Sequence, residues 1–191
     1  DQVQSRGLGD VYKRQQLPGK ERLDDLSLCT YSVYSAHKFG GPKGIGWLVG
    51  EGASSLLVGG EQEKGRRGGT ENYPAIKSAH RAWESMVQAP LDISGLSRLR
   101  DDFEDQMELQ IPGIRIIGKN SPRLWNTSLM IMPEFENLQW VGKLDKLGFQ
   151  VSTGSACSST KTGGSPIAQA LALSLPETQR LIRISSFQDH T

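Results

Sequence analysis

The chain has 191 residues, of which 36% are hydrophobic and 23% are charged, and its formal net charge is +1. Near-neutral charge without a basic face interleaved with aromatic residues argues against a nucleic-acid partner. The sequence has no run of about eighteen apolar residues, so we predict neither a membrane span nor a membrane partner. The two cysteines are not spaced as metal ligands, which indicates neither a metal site nor a disulfide framework and favours a reducing compartment, the cytoplasm.

The hydrophobic pattern of the first half of the chain alternates between strand and helix. Residues 28–35 and 45–49 are predicted strands, the second a hairpin-like neighbour of the first. Residues 73–88 form a predicted helix that is led by a proline and links two domains. Its apolar spacing places Trp83 in the core, whereas His80 is expected to be solvated or packed.

The second half continues the α/β alternation. A helix is predicted at 91–109, and a Pro–Gly break follows it. The later elements are strands at 114–117, 126–132, 149–152 and 181–185 and helices at 137–147 and 166–173. Trp125, Trp140 and the methionines are expected in the core.

Residues 35–46 read SAHKFGGPKGIG and set Lys38 beside His37, with Ser35 two residues before the histidine. A lysine amine can form a Schiff base with an aldehyde such as pyridoxal phosphate, and nearby hydroxyl, imidazole and backbone N–H groups can hold a phosphate. The same pattern also fits a strand that ends in a lysine and a tight glycine turn.

Two further segments carry candidate chemistry. Residues 59–72 read GGEQEKGRRGGTEN, a cationic loop in which Arg66, Arg67 and Thr70 could contact phosphate or carboxylate, or which is simply solvated. Residues 151–159 read VSTGSACSS, where small polar neighbours favour an accessible, reactive Cys157 over a buried one. Cys29 lies in a strand-like run and is expected to pack in the core.

In this order, the three segments resemble the cysteine desulfurases of the class V aminotransferase family, which use pyridoxal 5'-phosphate. RLWNTSLMIM and RLIRIS also fit, so the resemblance runs from about Leu23 to the end of the chain. It implies an α/β chain that is the C-terminal part of a PLP-dependent transferase fold: the end of the large-domain sheet plus a small α/β domain. We expect residues 1–89 to belong to the large cofactor-binding domain and residues 90–191 to form the small domain with the cysteine loop.

The resemblance also implies a role for each matching residue. Lys38 would bind the cofactor covalently, and Cys157 would receive sulfur as a persulfide. Ser35 and His37 would hold the cofactor phosphate, and Thr70 would add a phosphate contact in the partner subunit's site.

Three residues outside those segments have implied roles as well. Arg183 would bind the substrate carboxylate through a bidentate pair. Asp1 and Gln4 match the pair that contacts the pyridinium nitrogen and the ring oxygen.

The activity implied is removal of sulfur from L-cysteine, which gives alanine and an enzyme persulfide for iron–sulfur cluster or thio-cofactor biosynthesis. A homodimer and a sulfur-acceptor protein or scaffold are the implied partners. Two alternatives stay open at the level of sequence. One is a related class V aminotransferase or a selenocysteine lyase, and the other is a truncated or scaffold chain that binds no cofactor.

The spacing from Gln4 to Ser35 departs from the family, being about ten residues longer than usual. The excess coincides with residues 6–15, RGLGDVYKRQ, which lack apolar periodicity. We interpret this stretch as an assembly artefact or an insertion. Because complete enzymes of the family are about twice as long, we also expect a C-terminal fragment that is inactive by itself.

Overall fold

A computed structural model of the chain describes residues 2–3, 11–13, 18–21, 30–50, 54–55, 59–153 and 166–186. The chain divides into two compact units, Asp1–Leu91 and Asp92–Thr191. This boundary lies two residues beyond the division predicted at 89/90. The assignment of the units to a large and a small domain of a longer enzyme stays a prediction.

The first unit contains a four-stranded sheet in the order β1-β2-β3-β4. Its strands are β1 (Gln2–Val3), β2 (Val11–Lys13), β3 (Tyr31–Ser35) and β4 (Gly46–Gly50). β2 is parallel to β3, whereas β1 and β4 are antiparallel to their neighbours. The predicted hairpin-like pair is therefore confirmed as β3 and β4. β2 falls within the stretch interpreted as an artefact or an insertion, and that interpretation stays a prediction.

The first unit also contains a short helical segment α1 (Gln62–Gly65) and the long helix α2 (Tyr73–Gln88). α2 has the predicted bounds, because the Asn72 side chain caps its first turn by accepting from the Ala75 N–H at 3.2 Å. One face of α2 packs on β3 and β4 through an aromatic cluster, defined as Tyr34, Phe39, Trp47 and Trp83. Trp83 therefore packs against the sheet but stays half-buried, short of the core position predicted for it, while His80 is exposed beside Glu84.

The second unit contains a three-stranded antiparallel sheet in the order β5-β6-β7. The strands are β5 (Arg115–Ile117), β6 (Thr127–Ile131) and β7 (Leu181–Ser185). The helices are α3 (Ile93–Gln110), α4 (Asn137–Lys146), α5 (Pro166–Ala170) and α6 (Leu175–Thr178). One cluster of its core consists of Ile116, Met130, Met132 and Ile182, with Trp140 packed against it.

Two predicted elements of the second unit need correction. The strand predicted at 149–152 is wrong: apart from one bridge at Ser152, these residues form no ladder. The reason is the end of α4, where Gly148 adopts φ +85° and the Phe149 N–H still donates to the Leu144 carbonyl at 2.9 Å. The helix predicted at 166–173 ends at Ala170, because Ala172 lies in the left-handed region at φ +50°.

None of the helices in the described ranges is both long enough and apolar enough to cross a membrane.

Candidate functional site

The segment that carries Lys38 is a single 3-10 turn, Ala36–Lys38, directly after β3. Its base is fixed by the Ala36 N–H, which donates to the Ile45 carbonyl at 3.0 Å. The Phe39 and Gly41 N–H groups both donate to the Ala36 carbonyl, at 3.1 and 2.9 Å. This bonding forces the chain to reverse within a few residues after β3, so that the turn presents the lysine at the end of the strand.

The glycines of this segment are required by close backbone contacts. A Cβ at Gly46 would lie 2.3 Å from the Tyr34 carbonyl oxygen, and one at Gly41 would lie 2.8 Å from the Ala36 Cβ. Since side chains cannot approach backbone that closely, both positions accept only glycine without movement of the turn. The glycine-rich pattern therefore reflects the packing of the turn against β3 and β4.

Phe39 orients the turn. Its ring stacks on Trp47 at 5.2 Å between centroids and meets the edge of Trp83 at 5.7 Å. While Phe39 is held in the aromatic cluster, His37 and Lys38 are exposed. Within the described ranges neither of these two side chains makes a hydrogen bond or an ion pair, so both are available to a ligand.

A second lysine, which the sequence analysis missed, lies near this turn. Lys20 belongs to a turn at 18–21 and is half-buried. Burial lowers its pKa, and the positive charge of Lys38 lowers that pKa further. In the sequence, Lys20 is marked only by the Pro–Gly pair that precedes it. The closeness of Lys20 to Lys38 depends on the tertiary fold.

The cationic loop 59–72 belongs to the same unit. Gly59 and Gly68 form its neck, where a Cβ at Gly68 would lie 3.0 Å from the Gly59 backbone. Glu63 and Lys64 both adopt left-handed backbone angles, at φ 52° and 60°. Thr70 is exposed beyond the neck, and no described hydrogen bond joins it to the residues of the lysine turn.

Arg183 lies in the second unit, on β7, opposite Leu129 of β6. Its side chain is partly exposed. In the part of the chain that the structure describes, its guanidinium makes no ion pair or hydrogen bond. Such a cation can accept a carboxylate with two parallel hydrogen bonds.

The backbone of Arg183 also holds the start of the cysteine loop. The Arg183 N–H donates to the Ser152 carbonyl at 2.7 Å, and the Ser152 N–H donates back at 3.1 Å. Cys157 lies outside the described residues, as do Asp1 and Gln4.

The structure therefore brings Ser35, His37 and Lys38 together in one turn of the first unit. It places Thr70 on another loop of that unit and Arg183 in the second unit. Their predicted roles in a shared site stay predictions.

Comparisons with known proteins find relatives both in sequence and in structure. The cysteine desulfurase of Rhodobacter capsulatus is 36% identical over 173 residues, covering 88% of this chain and 43% of the relative. A solved NifS-like protein superposes with a TM-score of 0.70 at 28% identity, covering 91% of this chain and 45% of that chain. A structure described as SspA in complex with cysteine has a TM-score of 0.65 at 28% identity, covering 92% and 49%.

The chain thus spans less than half the length of these relatives. Nearly all of this chain nonetheless superposes on the NifS-like protein, so the chain has the α/β architecture of that fold. The aminotransferase class-V family matches residues 25–190, which include the lysine turn, the cationic loop and Arg183. This match over most of the sequence shows that the chain belongs to the aminotransferase class-V family.

Proposed function

We propose that this chain provides the lysine turn and the sulfur-accepting cysteine of a pyridoxal 5'-phosphate-dependent cysteine desulfurase. The observation that carries the proposal is the exposed Lys38 amine in the turn after β3, in a chain whose relatives are cysteine desulfurases. The reaction proposed is removal of sulfur from L-cysteine with release of alanine.

The residues of the lysine turn fit the cofactor chemically. Lys38 offers an accessible amine, and the Ser35 hydroxyl and His37 imidazole lie within three residues of it as donors to a phosphate. When bound, pyridoxal phosphate withdraws electrons from the Cα of an amino acid attached to it. Lys38 would hold the cofactor covalently and, once the substrate amine displaces it, would move the Cα proton.

Arg183 would orient the substrate. A guanidinium that carries no described partner can bind the α-carboxylate of cysteine bidentately, which fixes both the position and the rotation of the amino acid. Its position on β7 supports this role, because a strand in a three-stranded sheet holds a side chain more rigidly than a loop does.

Cys157 would then take the sulfur. Its thiolate attacks the substrate sulfur, a sulfur–sulfur bond forms, and the carbon–sulfur bond breaks with its electron pair left on the substrate carbon. Protonation of that carbon gives alanine, and the enzyme keeps a persulfide. The bridge between Ser152 and Arg183 supports the pairing of these two roles, since it ties the start of the cysteine loop to the carboxylate-binding strand.

Further parts of the proposal concern partners. Thr70, exposed beyond the neck of the cationic loop, would contact the cofactor phosphate of a second subunit, which makes the enzyme a homodimer. The persulfide would pass to a sulfur-acceptor protein or scaffold. The cytoplasm, where thiols stay reduced, is the proposed location.

The proposal is tested by the visible absorbance of the 191-residue chain mixed with pyridoxal phosphate, with and without residues 6–15. We expect a band from the lysine-bound cofactor that is lost in Lys38→Ala and kept in Lys43→Ala, an exposed lysine of the same segment. A folded chain that gives no band, or a band that persists in Lys38→Ala, contradicts the cofactor assignment. Because the 191-residue chain is expected to be inactive by itself, the sulfur-transfer step is tested in a protein of the relatives' full length that contains these residues, where alanine release from L-cysteine should disappear in Cys157→Ser.

A further inference from the structure

The position of the Lys38 amine depends on the backbone on either side of it. The Lys38 side chain is exposed and, in the part of the chain that the structure describes, forms no hydrogen bond or ion pair. Before it, Ala36 is fully buried, and both its N–H and its carbonyl are hydrogen-bonded within the segment. After it, Phe39 is held by ring contacts. Lys38 therefore lies between one anchor made of hydrogen bonds and one made of aromatic side chains.

Trp83 is the centre of the aromatic anchor. Its ring meets Phe39 and Trp47 nearly at right angles, with 5.7 Å between centroids in each pair, and it meets Tyr34 at 6.4 Å. Phe39 and Trp47 stack on each other with 10° between their planes. Aromatic pairs in these geometries are stabilising beyond the area that they bury. Since Trp83 is the one member of the aromatic cluster that lies on α2, the helix holds Phe39 in place through this ring.

The strand register shows how the cluster closes the lysine turn. Tyr34 and Trp47 are direct partners in the ladder of β3 and β4, so their side chains lie on the same face of the sheet. To stack on Trp47, Phe39 must fold back over this face immediately after the turn that carries Lys38. Trp83 contacts both of the stacked rings, and it therefore holds the turn closed.

Lys43, a second exposed lysine of the same segment, lacks this support. Its neighbours are Pro42 and Gly44, neither of which carries an aromatic ring, and Gly44 adopts φ +82°. The two lysines thus have similar exposure and differ in how firmly the backbone beneath them is held. This difference predicts that an aldehyde ligand reacts with Lys38 in preference to Lys43.

A reacting amine has to be placed accurately. A displacement of about 1 Å, caused by a change far from the reacting atoms, can slow a reaction about 100-fold. Side chains that lock a reacting group through packing are therefore part of a working site. We propose that Trp83 is a positioning residue for Lys38 and acts by holding Phe39 against Trp47. The inference rests on the proposed function in one respect, since it takes Lys38 as the amine that reacts.

The first experiment measures amide hydrogen exchange by nuclear magnetic resonance in the 191-residue chain without any ligand. The N–H groups of Phe39 and Gly41 report on closure of the turn, because both donate to the Ala36 carbonyl. In Trp83→Met, which keeps apolar volume but loses the ring, they should exchange about tenfold faster. Trp83→Phe, which keeps a ring, should stay within about threefold of the wild type. The Ala36 N–H, which donates to the Ile45 carbonyl, should change least.

Trp140→Met is the matched control, because Trp140 packs against a core cluster of the second unit. It should leave exchange in the lysine turn as it is in the wild type. Three results would overturn the proposal: unchanged exchange at Phe39 and Gly41 in Trp83→Met, an equal acceleration in Trp140→Met, or an equal acceleration at Ala36. The last result would mean that Trp83 stabilises the whole sheet and not the turn.

If Trp83→Met does not fold, native-state exchange of the wild type in increasing concentrations of urea decides the question. The N–H groups of Phe39 and Gly41 should then open with the same urea dependence as those of α2 around Trp83. Opening of the turn while α2 stays closed contradicts the proposal.

The second experiment separates this inference from the proposed function. The chain is mixed with pyridoxal phosphate and reduced with borohydride, and the lysines that carry the label are identified by mass spectrometry. The wild type should be labelled mainly on Lys38, and in Trp83→Met the ratio of label on Lys38 to label on Lys43 should fall about tenfold. The same preference for Lys38 in both proteins refutes this inference and leaves the proposed function standing. Faster exchange of the turn in Trp83→Met, together with no preference for Lys38 in the wild type, supports the role of Trp83 in closing the turn and refutes the cofactor assignment.

Discussion

Arg123 and Glu104 form an ion pair in the interior of the second unit. The Glu104 side chain, on α3, is fully buried, and both terminal nitrogens of the Arg123 guanidinium donate to its two carboxylate oxygens. The Ser128 hydroxyl donates to the same carboxylate at 2.5 Å. The hydrogen bond to Glu104 is also the main reason why the pKa of Arg123 is raised. This network joins α3 to the chain that enters β6.

Breaking one side of this pair should destabilise the protein strongly. We expect Glu104→Gln to lower the free energy of unfolding by about 3 kcal/mol, because it removes the hydrogen-bonded counter-charge of a mostly buried guanidinium and leaves it the more distant Asp101 carboxylate, 3.8 Å away. Urea unfolding followed by circular dichroism measures the change.

The double variant Glu104→Met/Arg123→Met provides the control. Replacing both charges with apolar side chains of similar length removes the unpaired charge, so this variant should be more stable than Glu104→Gln. A double variant less stable than the single one would mean that the pair contributes net stability beyond the cost of burying its charges.

Gly46 provides a second prediction, which concerns the turn that carries Lys38. Gly46→Ala places a Cβ 2.3 Å from the Tyr34 carbonyl oxygen, so β3 and β4 must separate. We expect a loss of about 2 kcal/mol in the free energy of unfolding and weaker cofactor binding. Gly142→Ala is the matched control: its Cβ meets open space on α4, and the change should stabilise the protein by about 0.5–1 kcal/mol. Equal effects of the two substitutions would contradict the steric explanation.

Much of the fold could be predicted from the sequence, because its longer elements have strong local signals. α2 has a capping asparagine, an early proline and a regular apolar face, and the structure has the predicted bounds. β7 is likewise found at the predicted residues, since an apolar run bounded by polar residues defines it. The strand predicted at 149–152 was wrong because Gly148, at the end of α4, redirects the chain. The apolar residues that follow this glycine suggested a strand and outweighed it in the prediction.

For the candidate site as well, residues that are close in the sequence could be predicted, and residues brought together only by the fold could not. Lys38, His37 and Ser35 could be proposed from the sequence because they lie within four residues of one another in a recognisable segment. Lys20 could not, because only the packing of two turns on α2 brings it near Lys38. The Glu104–Arg123 pair was also missed, since partners nineteen residues apart on different elements leave no periodic signal.

Lys64 gives a third prediction, on the cationic loop. At φ 60° and ψ 43° its backbone is left-handed, which costs a residue with a Cβ about 1–2 kcal/mol. Lys64→Gly removes that cost but increases the entropy of the unfolded chain, so we expect a net gain of up to about 1 kcal/mol and a Tm higher by about 2–4 °C. Lys77→Gly, in the regular helix α2, should instead lose about 1 kcal/mol. A lower Tm for Lys64→Gly would show that the left-handed turn is not the conformation of this loop in solution.

Glu177 gives a prediction of pH dependence. Its carboxylate accepts from the Ser174 hydroxyl at 2.7 Å and the Ser174 N–H at 2.8 Å, and Arg115 donates to its other oxygen. These contacts lower the pKa of Glu177 below 4.5, with the Ser174 hydroxyl as the largest cause. A carboxyl group whose pKa is lower in the folded state stabilises that state above its unfolded pKa and loses this effect as the pH falls through its folded pKa.

The wild type should therefore be more stable than Glu177→Gln at pH 6 to 7, and the difference should shrink as the pH falls through the lowered pKa of Glu177. Thermal unfolding across this pH range measures it. The Ser174 hydroxyl lowers the pKa of Glu177 more than Arg115 does. Ser174→Ala should therefore reduce the stability difference between the wild type and Glu177→Gln more than Arg115→Gln does. A difference that stays unchanged as the acid titration of Glu177 runs to completion would mean that Glu177 acts through packing or neutral hydrogen bonds, since a carboxyl group that has lost its charge cannot stabilise the cap of α6 through that charge.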